Sequence, residues 1–143
     1  MALTPDADIQ NRRKILKLLN NPSPELDYVV TLKAVAMLQG LPEAVRLQIR
    51  YVPDQLSLDP GSLDTYIEVL REQEWSSLEE VGAALLTDLG NELVARWTEV
   101  FLETRRTGTN QGTLAENHHL LLLTDQQPKW SNPDLLARLP LSG

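Results

Sequence analysis

Three neighbouring residues have side chains suited to metal binding or acid–base catalysis: Glu116, His118 and His119. Imidazole and carboxylate groups ligate zinc and also move protons near neutral pH. Consecutive side chains point in different directions on a helix, so the two histidines cannot share a face there, and on a strand they would point to opposite faces. They are the only histidines in the sequence. The pattern therefore predicts no metal site and favours surface histidines near a turn.

Other patterns of catalytic chemistry are absent from the sequence. Glu68 with Glu72, and Glu99 with Glu103, have the spacing of a di-metal helical bundle, but no Glu-x-x-His accompanies them. The sequence has no nucleophile elbow, glycine-rich phosphate loop or His-Glu-x-x-His motif. It also has no cysteine, which excludes disulfides, thiol catalysis and cysteine metal sites within these residues. We therefore predict a protein that is not an enzyme and needs no cofactor.

A basic cluster near the N-terminus is a candidate surface for binding a phosphate backbone. Its members are Arg12, Arg13, Lys14 and Lys17. The nearest aromatic residues are Tyr28 and Tyr51, so base stacking has little support. Pairing with acidic residues of the same chain or of a neighbour explains the cluster equally well.

The C-terminal residues are the strongest candidates for protein binding. Trp130 precedes Ser131, Asn132 and Pro133, which form a strong helix start. The short amphipathic helix at residues 132–139 would then carry Leu135, Leu136 and Leu139. An aromatic anchor beside such a helix is typical of helix-in-groove recognition. The alternative is that the same four side chains pack onto their own domain.

One long stretch predicts the architecture that would hold these groups. Between residues 77 and 106, apolar residues recur every three or four positions, which is typical of an α-helix. The series is Leu78, Val81, Leu85, Leu89, Leu93, Trp97 and Val100. Gly82 and Gly90 lie beside it, and we expect a neighbouring helix to cross close to the backbone at one of them at least. Residues 77–106 are therefore predicted to form the central helix of a bundle.

Further helix signals surround this stretch. Proline-marked starts predict helices at residues 4–19, 23–40 and 41–52, and apolar spacing predicts another at 62–74. Residues 107–113 are polar with two glycines and are interpreted as a hinge. Residues 114–124 suit either a helix or a strand, and we favour a helix. The fold class predicted is all-α, with four to five helices at residues 1–106 and a C-terminal extension at 107–143.

Composition sets the class of protein. The 143 residues are 42% hydrophobic and 23% charged with a net charge of −7, which is typical of a soluble globular domain. The N-terminus resembles neither a signal peptide nor a membrane span, and the lack of cysteine fits the cytoplasm. We predict a cytoplasmic, non-enzymatic adaptor or assembly subunit that binds protein partners or copies of itself and no membrane. The alternative is a helical subunit of a ribonucleoprotein or other nucleic-acid complex.

Overall fold

The computed structural model describes residues 5–110 and 113–141, in which helices and strands are mixed. The helices are α1 (Pro5–Lys14), α2 (Pro60–Glu72), α3 (Leu78–Leu93) and α4 (Pro133–Ala137). The strands are β1 (Leu18–Asn20), β2 (Val30–Ala36), β3 (Val45–Val52), β4 (Leu56–Leu58), β5 (Trp97–Asn110) and β6 (Thr113–Gln126). None of the helices in the described part of the chain is long and apolar enough to cross a membrane.

The main sheet has four antiparallel strands in the order β2-β3-β5-β6, and β1 and β4 form a separate antiparallel pair. Helices α2 and α3 follow β4 and precede β5, so they form one long excursion between two adjacent strands of the main sheet. Side chains alternate along a strand, and the main core lies where one face of this sheet packs against α2 and α3, whereas the opposite face does not contact these two helices. We call these the helix-covered face and the open face.

The core lies between the helix-covered face and helices α2 and α3. From β3 it includes Leu47 and Ile49, and from β5 it includes Val100 and Leu102. Gly82 is the point of closest approach, since a Cβ added there would lie 2.7 Å from Leu121 Cδ2 and 2.8 Å from Leu123 Cδ1. The expected close approach is therefore real at Gly82, although a strand makes it rather than a helix. At Gly90 a Cβ would meet nothing within 4 Å.

The predicted all-α class is wrong, and residues 77–106 show why. The first half of this stretch is helix α3, but the second half is strand β5. From Trp97 onward the residues also alternate, with Thr98, Val100 and Leu102 facing the helices. Apolar spacings of three and four continue across the boundary by coincidence. Helix α3 ends with Val94 at φ 50°, a left-handed conformation that β-branched residues rarely adopt, so no glycine marked the end.

Other predicted helices are also strands. The stretch 23–40 contains β2, the stretch 41–52 contains β3, and the stretch 114–124 lies within β6. In each case β-branched or leucine-rich segments pair with neighbouring strands of the sheet, and this pairing outweighs local helix signals. The polar stretch 107–113 includes the end of β5 and the first residue of β6; positions 111 and 112 lie outside the described residues. Helices at 62–74 and 132–139 are confirmed as α2 and α4, each shorter or shifted by a few residues.

Candidate active site

The β5–β6 hairpin separates the two histidines. His119 pairs with Thr104 and faces the helices, whereas His118 pairs with Arg105 and faces the open side of the sheet. On the open side, His118 Nε2 lies 2.8 Å from Glu116 Oε1 and its Nδ1 lies 3.8 Å from Glu103 Oε1. The opposite-face geometry expected for a strand is therefore the one that the structure contains.

The first turn of α3 brings a carboxylate to His119. Ser77 caps this helix, because its hydroxyl oxygen accepts a hydrogen bond from the Glu80 N–H at 3.2 Å. Glu79 is the second residue of the helix, in its first turn, where a negative charge is favoured by the helix dipole. Its Oε1 lies 2.5 Å from His119 Nε2. The contact joins the carboxylate to Nε2 of the imidazole rather than to Nδ1.

A cavity of about 200 Å³ adjoins this pair. Its lining is almost wholly polar, with Glu43 from the β2–β3 connection and Thr104, Arg106, Asn117, His118 and His119 from the hairpin. The cavity therefore combines a carboxylate, an amide, a guanidinium and imidazoles, at side chains that are half-buried or exposed. Such a set can accept hydrogen bonds from a ligand, hold an anion and deliver a proton. It is the best candidate for acid–base chemistry in the described chain.

The histidines do not form a metal centre with their neighbours. Among residues 5–110 and 113–141, no group of three histidine, aspartate or glutamate side chains lies close enough to hold a metal ion. The carboxylate–imidazole pair is instead the arrangement that orients a histidine for proton transfer.

Two members of the basic cluster are held inside the protein. Arg12 Nε lies 2.5 Å and Arg13 Nε 2.8 Å from the fully buried carboxylate of Asp88. The Tyr66 hydroxyl donates to the same carboxylate at 2.5 Å, and burial, then Asp88, raise the pKa of that hydroxyl. Burial alone would lower the pKa of Arg12, but the Asp88 hydrogen bond and charge raise it. This network attaches α1 to α2 and α3.

The remaining two basic residues, Lys14 and Lys17, are exposed. They line a cavity of about 310 Å³ beside the start of α2, together with Asp59, Gly61, Ser62 and other neighbours. Contact of the four-residue cluster with a phosphate backbone stays a prediction.

The C-terminal segment lies against its own chain. Asp27 accepts hydrogen bonds from Trp130 Nε1 at 3.1 Å and from Asn132 Nδ2 at 3.0 Å. Arg50 Nη1 donates to the Pro140 carbonyl at 2.7 Å. The four side chains predicted to bind a partner, Trp130, Leu135, Leu136 and Leu139, are all half-buried. Binding of a partner through these residues stays a prediction.

Sequence reasoning missed Glu79, Glu43, Arg106 and Asn117. Glu79 lies in the stretch predicted as the central helix, and its partner His119 is distant in the chain. The signal that was present is the adjacent pair of histidines, since a strand sends one of them to each face. If residues 114–124 are assigned to a strand, one of the two histidines must lie on the helix-covered face of the sheet and the other on the open face.

The fold and this pair define a mixed α/β protein with the side chains of a general acid–base enzyme. No protein-family model matches the sequence. The NADPH-dependent 7-cyano-7-deazaguanine reductase of Nitrosococcus oceani is 30% identical over 130 residues, covering 87% of this chain and 94% of that protein. The protein of the same name from Acidithiobacillus ferrooxidans is 28% identical over 133 residues, covering 87% and 86%. The chain belongs to the NADPH-dependent 7-cyano-7-deazaguanine reductase family.

One solved structure also resembles the chain, an archaeosine synthase QueF-Like in the apo form. The TM-score is 0.49 with 16% sequence identity, over 64% of this chain and 91% of that chain.

The prediction of a non-enzymatic helical adaptor is wrong, because the fold is mixed α/β and the relatives are named as reductases. The alternative of a helical nucleic-acid-complex subunit fails for the same reasons. None of the catalytic motifs considered above occurs in this sequence, so they gave no sign of the family. The Glu79–His119 pair is brought together only by the fold.

Proposed function

We propose that this protein is a reductase that uses NADPH to reduce the cyano group of a 7-deazaguanine base. The observation that carries the proposal is the 30% identity that extends over 94% of the Nitrosococcus oceani protein. The cavity beside the Glu79–His119 pair supports it, since this pair is suited to proton delivery. The lack of cysteine, which fits a reducing compartment, favours a cytoplasmic location.

The overall reaction needs two hydrides and two protons for each nitrile. The first hydride adds to the nitrile carbon while a proton reaches the nitrogen, and the product is an imine. A second hydride and a second proton convert the imine to an amine, and two NADPH are oxidised to NADP⁺. The protein's own contribution is to bind and orient the base and to supply the protons.

His119 is the proton donor in this proposal. An imidazolium at His119 keeps one N–H on Glu79 and presents the other, on Nδ1, to the substrate. Glu79 fixes the orientation of the ring, as a carboxylate beside a catalytic histidine commonly does. General acid catalysis of this kind is worth about 10²–10⁴ in rate.

Polar groups around the cavity suit the edge of a guanine-type base. That edge offers ring N–H and amino donors beside a carbonyl acceptor. Glu43 can accept from the donors, and the Asn117 side-chain amide can donate to the carbonyl. Arg106 fits a phosphate of NADPH, because a guanidinium pairs well with phosphate oxygens. NADPH supplies the hydrides when bound.

The absence of cysteine determines how hydride reaches the substrate. A thiolate can add to a nitrile carbon and form a thioimidate, which is a common form of nucleophilic catalysis. These 143 residues contain no thiol. We therefore propose that hydride is transferred directly to the unmodified nitrile.

The test measures NADPH oxidation by the purified chain with 7-cyano-7-deazaguanine and detects the amine by mass spectrometry. Glu79→Gln and His119→Gln should each lower the rate, His119→Gln by about a hundredfold or more. Glu80→Gln is the matched control, since Glu80 is the next residue on α3 and is exposed. Binding of the base without NADPH oxidation, or equal rates for Glu79→Gln and Glu80→Gln, would contradict the proposal.

A further inference from the structure

The open face of the sheet contains a second cavity, of about 270 Å³. Its polar and aromatic lining comes from three adjacent strands and consists of Lys33, Arg46, Gln48, Phe101, Glu103 and Arg105. The register places Lys33, Gln48 and Phe101 in one row across the sheet, and Arg46 with Glu103 in the next. The cavity therefore lies on the opposite side of the sheet from the Glu79–His119 pair.

Gln48 is the side chain that points to a ligand. It is only 5% exposed, yet within residues 5–110 and 113–141 no hydrogen bond joins its side-chain amide to another group. Every side-chain polar atom that is inaccessible to solvent in the described chain has a hydrogen-bond partner. The unpaired amide of Gln48 must therefore be accessible, and the cavity that Gln48 lines is where it is accessible. An amide held in this way offers one acceptor and two donors to whatever enters.

Glu103 lies in the next row and is also 5% exposed. Its Oε1 accepts a hydrogen bond from Arg105 Nε and lies 3.8 Å from His118 Nδ1. A carboxylate has about four acceptor positions, so Glu103 can accept further hydrogen bonds from a ligand. Gln48 and Glu103 thus present a donor beside an acceptor.

The rest of the lining adds an apolar wall and positive charge. Phe101 is 7% exposed and contributes an aromatic side chain to the cavity. Lys33 and Arg46 are exposed at the rim, where they can pair with an anion at the cavity mouth. A ligand that matches these features has a flat ring with a carbonyl beside N–H donors, and an anionic group on a short arm.

We propose that this cavity binds a guanine nucleotide. The guanine carbonyl accepts from the Gln48 amide, the ring N–H and amino group donate to Glu103, and the ring packs against Phe101. The phosphate pairs with Arg46 and Lys33. Adenine would be disfavoured, because it places an unprotonated ring nitrogen opposite the Glu103 carboxylate and has no carbonyl for Gln48. The two cavities are neighbours, since His118 lines the first and its Nδ1 lies 3.8 Å from Glu103 in the second. The residues proposed to bind the nucleotide are different from those proposed for the reaction, so the inference does not depend on the proposed function.

The test is calorimetric titration of the full chain with guanosine monophosphate. Adenosine monophosphate, guanosine and inorganic phosphate should each bind about tenfold more weakly or worse, since each lacks one part of the match. Arg46→Glu and Gln48→Met should each weaken binding by about tenfold or more. Arg138→Glu reverses an exposed arginine of the C-terminal segment and should leave the affinity unchanged.

Two further measurements separate site loss from misfolding and from binding elsewhere. Arg46→Gln removes the charge without placing a second carboxylate opposite Glu103, so it should weaken binding and keep the unfolding midpoint of the parent chain. Arg106→Glu should leave the affinity for guanosine monophosphate unchanged, because Arg106 lines the first cavity and not the second. Equal affinity for the adenine and guanine nucleotides, binding no tighter than that of inorganic phosphate, or full affinity in folded Arg46→Gln would overturn the proposal.

Discussion

Strand β3 shows how different the two faces of the main sheet are. Its Leu47 and Ile49 lie on the helix-covered face, at 3% and 0% exposure, among leucines and valines of α3 and β5. Its Gln48 and Arg50 lie on the open face and are equally buried, at 5% each. Burying polar and charged groups without a stabilising return is costly. The apolar side chains of the helix-covered face therefore stabilise the fold, whereas the polar side chains buried on the open face lower its stability.

The largest expected effect comes from breaking a buried ion pair on the open face. Arg50 Nη2 lies 2.7 Å from Glu99 Oε1, and both side chains are at most 7% exposed. Glu99→Leu should lower the free energy of unfolding by about 3–5 kcal/mol, because it leaves the guanidinium buried without this carboxylate. Replacing both, as Arg50→Met with Glu99→Leu, should recover most of that loss. Urea denaturation measures the free energy of unfolding of both variants. A double variant that is no more stable than Glu99→Leu would contradict the contrast between the two faces.

The next prediction compares two leucines on the two faces. Leu102 is fully buried under α3, whereas Leu122 is 56% exposed on the open face. Leu102→Ala should lower the free energy of unfolding by about 2–5 kcal/mol, through lost burial and a cavity. Leu122→Ala is the matched control and should cost less than about 1 kcal/mol. Chemical denaturation of both variants measures the two losses. Similar losses would mean that Leu122 contributes to a core on the open face as much as Leu102 does on the helix-covered face.

A smaller effect concerns the C-terminal segment. Burial tends to raise the pKa of Asp27, but hydrogen bonds from Asn132, Trp130 and Arg96 outweigh it and hold that pKa below its ordinary value of 3.8. A lowered folded-state pKa stabilises the fold above pH 3.8 and stops doing so as the pH falls through the folded-state value. Asp27→Asn should therefore cost about 1 kcal/mol at neutral pH and progressively less in acid. Thermal unfolding across this pH range measures the difference, and a cost independent of pH would contradict the role of the charge.

The smallest expected effect contrasts two glycines of α3. Gly90→Ala should stabilise the protein by about 0.5–1 kcal/mol, since alanine favours a helix and nothing lies within 4 Å of its Cβ. Gly82→Ala should give less stabilisation or a loss, because its Cβ would crowd Leu121 and Leu123 of the sheet. Thermal unfolding of the two variants tests this. Equal stabilisation by both would show that α3 does not pack closely on the helix-covered face.

Local signals in the sequence predicted α2 and α4 and the start of α3. Ser77 before Glu80 and Asn132 before Pro133 act within a few residues, so their effect can be seen without the rest of the fold. The strands could not be predicted in this way. Strand β3 is buried on both faces along most of its length, so its pattern lacks a clear alternation. Its partner β5 also lies far along the chain, beyond α2 and α3.

The candidate site was predictable only in part. The adjacent histidines were visible as chemistry, and the strand geometry that separates them was considered. The pairing of His119 with Glu79 depends on packing α3 against β6, which no local pattern reveals. The same limit applies to Gln48, because an isolated glutamine gives no sign that a sheet will bury it.

Isotope transfer tests the central claim most directly, namely that this chain reduces a nitrile by direct hydride transfer. The chain is incubated with 7-cyano-7-deazaguanine and NADPH deuterated at both C4 positions, and the masses of the product and of the intact protein are measured. The expected product is an amine with two deuterium atoms on the former nitrile carbon, and the mass of the protein should be unchanged by the nitrile alone. The absence of this amine, or a covalent adduct of the nitrile with the protein, would contradict it.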